Sequence, residues 1–96
     1  MLNKNPQLMG AFINTLFQQN GLEETLILSE LIKKWKEIFG ENFAQNCEPI
    51  KLKNQTLTIK VHSSAWREEI KLRKEKLIDL INQNLSKIVV NELKLR

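Results

Sequence analysis

Residues Thr56 to Ile70, TLTIKVHSSAWREEI, constrain the fold more than any other stretch, because they open with the period of a strand and close with the signals of a helix. Leu57, Ile59 and Val61 alternate with Thr58, Lys60 and His62, the two-residue period of a half-buried strand. Ser63 and Ser64 then supply hydroxyls that can accept the free N–H groups at a helix start. Glu68 and Glu69 are expected in the first turns, where carboxylates suit the positive end of the helix dipole. Trp66 stands at the junction, and its ring is expected to pin the new helix onto the strand it has just left.

The chain around this unit is short. Its 96 residues fit one domain, 1–96, and a hydrophobic fraction of 42% suffices for a modest core. The single cysteine, Cys47, excludes an internal disulfide and makes a reducing cytoplasm the expected compartment. The opening MLNKNPQLMG has no long apolar run of the kind a secretory signal needs. No stretch approaches the ~20 apolar residues of a membrane span, so no membrane partner is expected. A net charge of +4 raises the expectation of a nucleic-acid partner without establishing one.

Upstream, Asn5-Pro6 reads as a helix start, since Asn can cap and Pro suits the first helical position. Leu8, Phe12 and Leu16, flanked by Met9, Ile13 and Phe17, then form a wide apolar face, and Gly21 ends the helix. This helical extension, 6–20, serves either to pack on its own domain or to join two chains as a homodimer. A second helix opens at Glu23 and Glu24 and carries Leu28, Leu31, Ile32, Trp35, Ile38 and Phe39 at spacings of three and four, with Gly40 closing it. Trp35 reads as a packing residue, and Glu41 to Asn46 as a further turn.

Pro49 is expected to end this helical part. Ile50 and Leu52 alternating with Lys51 and Lys53 predict a short strand, which leaves Cys47 just ahead of it. Asn54-Gln55 predicts a tight hairpin turn, because Asn tolerates positive φ. After the central strand, one long helix is expected from about Ser64 to Asn84, with Trp66, Ile70, Leu77, Ile81 and Leu85 on one face. Arg67, Lys71 and Lys74 make a basic line on another. A last strand is expected over Ile88 to Leu95, with a bulge near Asn91 to reconcile its two apolar phases. The order α-α-β-β-α-β defines an α+β domain, a three-stranded sheet with helices packed on one face.

Catalytic and cofactor signatures are missing from the sequence. One histidine, His62, and one cysteine fall short of a zinc set, and glycines at 10, 21 and 40 make neither a dinucleotide fingerprint nor a P-loop. No enzyme activity, cofactor or metal is expected. His62 reads as a partly solvated residue at a strand end, and Cys47 as a small buried one.

From Trp35 to Leu95 the chain resembles the DciA-type domain of bacterial proteins that operate or load the replicative DNA helicase. Trp35-Lys-Glu-Ile38-Phe-Gly40 resembles that family's W-x-x-I-V-G, and Phe43-Ala44 and Pro49 follow in register. Leu57, Ile59 and Val61 resemble its L-x-V-x-V strand, Ser63-Ser64-Ala65-Trp66-Arg67-Glu68-Glu69-Ile70 its S-S-x-W-x-x-E-L segment, and Ile81-Asn82 its helical I/L-N pair. Asn46 departs where that family often has His, and Asn54-Gln55 where its turn usually holds Gly. The resemblance implies a K-homology-like (KH-like) fold, although the GxxG loop with which true KH domains clamp a nucleic-acid backbone is missing.

By that resemblance the expected partner is the replicative DNA helicase, with weak and nonspecific contact to single-stranded DNA. Lys51, Lys53 and Lys60 on the outer sheet face, and Arg67, Lys71 and Lys74 on the helix, are the candidate nucleic-acid contacts. Trp35 and Trp66 are expected to be structural or partner-binding. A protein-binding adaptor without nucleic acid and an RNA-binding KH-like module stand as alternatives.

Overall fold

A computed structural model describes residues 21–96, so the helix expected over 6–20, and any pairing of two chains through it, lies outside the described residues. Helix α1 (Leu22–Phe39) starts after Gly21, whose φ of 72° is the left-handed conformation that glycine adopts without steric cost. It ends at Gly40, and a short helix α2 (Glu41–Asn46) follows. Strands β1 (Cys47–Lys53) and β2 (Thr56–Val61) form an antiparallel hairpin. Helices α3 (Ser64–Leu72) and α4 (Lys74–Asn84) lead to β3 (Glu92–Leu95), which pairs parallel to β2. The sheet order β1-β2-β3 puts β2 in the centre, and the domain is α+β with the expected order of helices and strands.

Alternation on β2 places Leu57, Ile59 and Val61 against the helices. Across the ladder, Leu52 and Leu93 flank Leu57, and all three are buried. Leu31 and Trp35 of α1 and Ile70, Leu77 and Ile81 of α3 and α4 close the core from the helical side. The Trp35 indole N–H donates to the Cys47 carbonyl at 3.0 Å, so the buried ring keeps its polar atom satisfied. The turn at Asn54 and Gln55 has φ of 52° and 61°, two positive values in succession as a type I′ hairpin requires. Ser63 caps α3 as expected, accepting the Trp66 N–H at 3.3 Å.

Four expectations change. The long helix is broken at Arg73 (φ −115°, ψ 20°), whose N–H is shared between the Glu69 and Ile70 carbonyls at 3.2 and 3.1 Å. Ile70 before the break and Leu77 after it are both buried, so the bend wraps the helical layer around the core.

Strand β1 begins earlier than expected, at Cys47, and Pro49 lies inside it. The register slips between Pro49 and Lys51, leaving Ile50 as a bulge residue. Pro49 and Leu52 therefore take the inward positions, and Ile50 does not alternate with Leu52.

The last strand is only four residues long. Val89 and Val90 are both buried, which a strand's alternation would not permit, and both donate their N–H groups to the Asn82 side-chain oxygen, at 2.9 and 3.0 Å. Asn82 returns a hydrogen bond from its amide nitrogen to the Val90 carbonyl at 2.9 Å. This clamp replaces the expected bulge.

Trp66 is half-buried and packs against the core, and the aromatic ring it meets lies on α2. Its ring meets Phe43 of α2 edge-to-face, with centroids 5.4 Å apart, so it ties α3 to α2. Finally, the first turn of α3 carries no acidic residue. Glu68 and Glu69 sit further along, facing Lys71 at 3.6 Å and Arg73 at 2.9 Å.

Candidate nucleic-acid interface

The bulge in β1 decides which lysines reach the open side of the sheet. With Pro49 and Leu52 turned inward, Lys51 and Lys53 both turn outward. Residues directly opposite in a ladder share a face. Lys51 stands opposite Thr58, and Thr58 opposite Lys94, giving the row Lys51–Thr58–Lys94. The next row is Lys53–Thr56–Glu92, and at the other end Glu48 faces Lys60. Strands lie about 4.8 Å apart, so the Lys51 and Lys94 main chains are about 10 Å apart across Thr58. Lys51 and Lys53 are about 7 Å apart along β1.

All four lysines are exposed, and among the described residues none has a carboxylate within salt-bridge distance. Thr58 is only 9% exposed although it faces outward, because its neighbours in the sheet flank it. The face therefore offers exposed ammonium groups around a hydroxyl floor. Among the described residues it holds no aromatic side chain on which a base could stack.

The helix residues of the candidate set are placed differently. The Arg67 guanidinium donates to the Val61 and Arg96 carbonyls, at 3.4 and 3.2 Å, and so holds the ends of β2 and β3 together. Lys71 lies 3.6 Å from Glu68, and Lys74 lies 2.7 Å from Glu92. The structure thus groups Lys51, Lys53 and Lys60, and gives Arg67, Lys71 and Lys74 partners within the fold. Lys94 was missed in the sequence. Its signal was the alternation in Leu93-Lys94-Leu95, which puts Lys94 opposite to two apolar residues.

Trp35 is buried as a packing residue. Trp66 borders a hollow of about 300 Å³ between α1, α2, α3 and α4, lined also by Phe39, Phe43, Leu77 and Leu80. Phe39 and Phe43 stack at 4.5 Å between the two tryptophans, so the four rings form one run. Cys47 and His62 do not form a reactive pair. The Cys47 thiol donates to the Phe43 carbonyl at 3.2 Å, and burial, with the Glu48 charge adding to it, pushes its pKa up to about 12. His62 lies at the end of β2, its Nε2 3.7 Å from a Glu48 carboxylate oxygen. Among the described residues no helix is long and apolar enough to cross a membrane.

A model of the DciA family, described as Dna[CI] antecedent, matches residues 8–95, which extends the likeness upstream of Trp35. Curated relatives named UPF0232 proteins are similar as well. One from Streptomyces avermitilis is 28% identical over 97% of this chain and 52% of its own length. One from Rhodococcus jostii is 24% identical over 97% and 50%, and one from Mycolicibacterium smegmatis 26% over 96% and 47%. The chain spans about half the length of the curated relatives it matches.

Proposed function

The chain belongs to the DciA family, and from that premise we propose that it is a non-catalytic accessory of DNA replication in the bacterial cytoplasm, one that binds the replicative helicase and holds single-stranded DNA weakly on the outer face of its sheet. The observation that carries the DNA part is the group of exposed lysines, Lys51, Lys53, Lys60 and Lys94, which among the described residues have no ion-pair partner and stand on a face that the described helices leave open. Phosphates supply the affinity for such a surface, and their counterions make it salt-dependent. Without a stacking platform the contact is nonspecific. Helicase binding rests on family membership alone. The half-exposed run of Phe39 and Trp66 beside the hollow is the apolar surface best suited to such a partner.

Two measurements test this reading. Fluorescence anisotropy with a labelled single-stranded oligonucleotide at low salt should show binding that Lys51→Glu, Lys53→Glu and Lys60→Glu together abolish, with circular dichroism unchanged. An absence of binding by the parent chain would remove the DNA part, and tighter binding to structured RNA would move the function to RNA. Immobilised chain should retain purified replicative helicase from the same organism. If it does not, the helicase part fails independently of the DNA part.

A further inference from the structure

The paired rows that look out from the open face of the sheet differ in charge. At one end Glu48 faces Lys60, and at the other Lys53 faces Thr56 with Glu92 beyond it. Each of these rows sets a carboxylate beside its lysine. The row between them, Lys51–Thr58–Lys94, has a cation at either margin and no carboxylate. Neighbours in a row stand about 5 Å apart, so one ammonium group reaches the Thr58 side chain from each side.

Thr58 also differs from its neighbours in depth. It is 9% exposed, whereas Lys51, Lys60 and Lys94 are exposed. Among the described residues no side-chain hydrogen bond engages its hydroxyl. A hydroxyl sunk this far calls for an acceptor. Neither flanking lysine can take its proton, because an ammonium group donates and accepts nothing. An anion laid across the row can.

Resting on the single-stranded DNA reading above, we propose that Thr58 seats a phosphodiester of the strand on this face. Its hydroxyl donates to a non-bridging oxygen, while the Lys51 and Lys94 ammonium groups close on the same phosphate from the two margins. Such charge-assisted hydrogen bonds are the strong ones. Lys60 lies about 7 Å from Thr58 along β2, and Lys53 about 7 Å from Lys51 along β1, so the same strand continues onto further cations. A free phosphate ion gains none of those linked contacts, which favours a polymer in this open seat.

Thr58→Val keeps the β-branched shape that suits a strand and removes only the hydroxyl. In anisotropy titrations with a labelled single-stranded oligonucleotide it should bind about three- to tenfold more weakly, the worth of one hydrogen bond. Its salt slope should match the parent's, because no charge is lost. Thr58→Ser restores the hydroxyl and should recover most of the affinity. Parent-like binding by Thr58→Val would overturn the seat and leave the DNA reading standing, whereas a parent chain that binds no DNA would overturn both. A changed salt slope in Thr58→Val would trace the loss to displaced lysines, and no recovery in Thr58→Ser would trace it to packing; either overturns the proposal. Inorganic phosphate at millimolar concentration and constant ionic strength should leave the oligonucleotide bound, and full displacement would overturn the assignment to a phosphodiester.

Discussion

Lys74 and Glu92 meet at 2.7 Å across the gap between α4 and β3, and the same Glu92 carboxylate oxygen accepts the Leu93 N–H at 2.8 Å. One carboxylate thereby ties the broken helix to the last strand and satisfies a strand amide. The hydrogen bond from Lys74, then the one from the Leu93 N–H, and then the Lys74 charge hold the Glu92 pKa below the usual carboxylate range.

A carboxyl whose pKa is lower folded than unfolded adds stability above its unfolded pKa and loses it as pH falls through the folded one. Glu92→Gln should therefore lower the melting temperature at pH 7, and the gap from the parent should close as pH falls below the ordinary value of about 4.5. Melting curves between pH 3 and 7 check this, and a gap that persists at pH 3 would assign the effect to packing.

Asn82 is the clamp on the buried Val89–Val90 segment, and its oxygen is the partner of two main-chain N–H groups. Asn82→Ala strands both, and each unsatisfied buried donor costs about 1–3 kcal/mol. Urea unfolding should show a loss in that range or above. Asn82→Asp keeps the acceptor but not the donor to Val90, and should fall between the parent and the Ala variant.

The two tryptophans should rank by burial. Trp35→Ala removes a ring that is 4% exposed and leaves the Cys47 carbonyl unpaired, so it should cost at least the ~3–5 kcal/mol typical of buried aromatics. Trp66→Ala removes a half-buried ring and should cost clearly less, with any helicase binding lost alongside. Equal melting losses for the two would show that Trp66 packs more deeply than its exposure indicates.

Salt dependence separates the sheet face from the helix. Each phosphate contact on a single strand contributes a log–log slope of about −0.7, so three or four lysines give about −2 to −3. Lys94→Gln should reduce the slope by about one contact. Lys74→Gln should leave it unchanged and lower stability instead, because its charge is engaged by Glu92. Titrations at four or more salt concentrations distinguish the two.

What the sequence discloses, and what it hides, divides along the range of the interactions involved. The period-2 strand of Leu57, Ile59 and Val61, the Ser63 cap and the Asn54-Gln55 turn are set by near neighbours, and all three are visible in the sequence. The break at Arg73 has no Pro or Gly to announce it, since packing of Ile70 and Leu77 on one core produces it. The bulge at Ile50 likewise depends on β2, against which the register slips. Lys74 reads as part of a basic line because its partner lies 18 residues further on, in a strand whose start the alternation misplaced. Lys94 was hidden by the same misplacement.

The slipped register in β1 and the carboxylate cap at Leu93 have a joint effect on how this sheet can grow. Pro49 has no N–H to offer a further strand, the bulge beside it spoils the regular spacing that such a strand would need, and lysines crowd the rest of that margin. At the opposite margin, the Leu93 N–H is already taken by Glu92. Both rims are thus blunted against strand-by-strand polymerisation. Among the described residues two of the sheet's three strands are rims, so an edge this poor in free, regularly spaced donors disfavours addition of a further strand on either side.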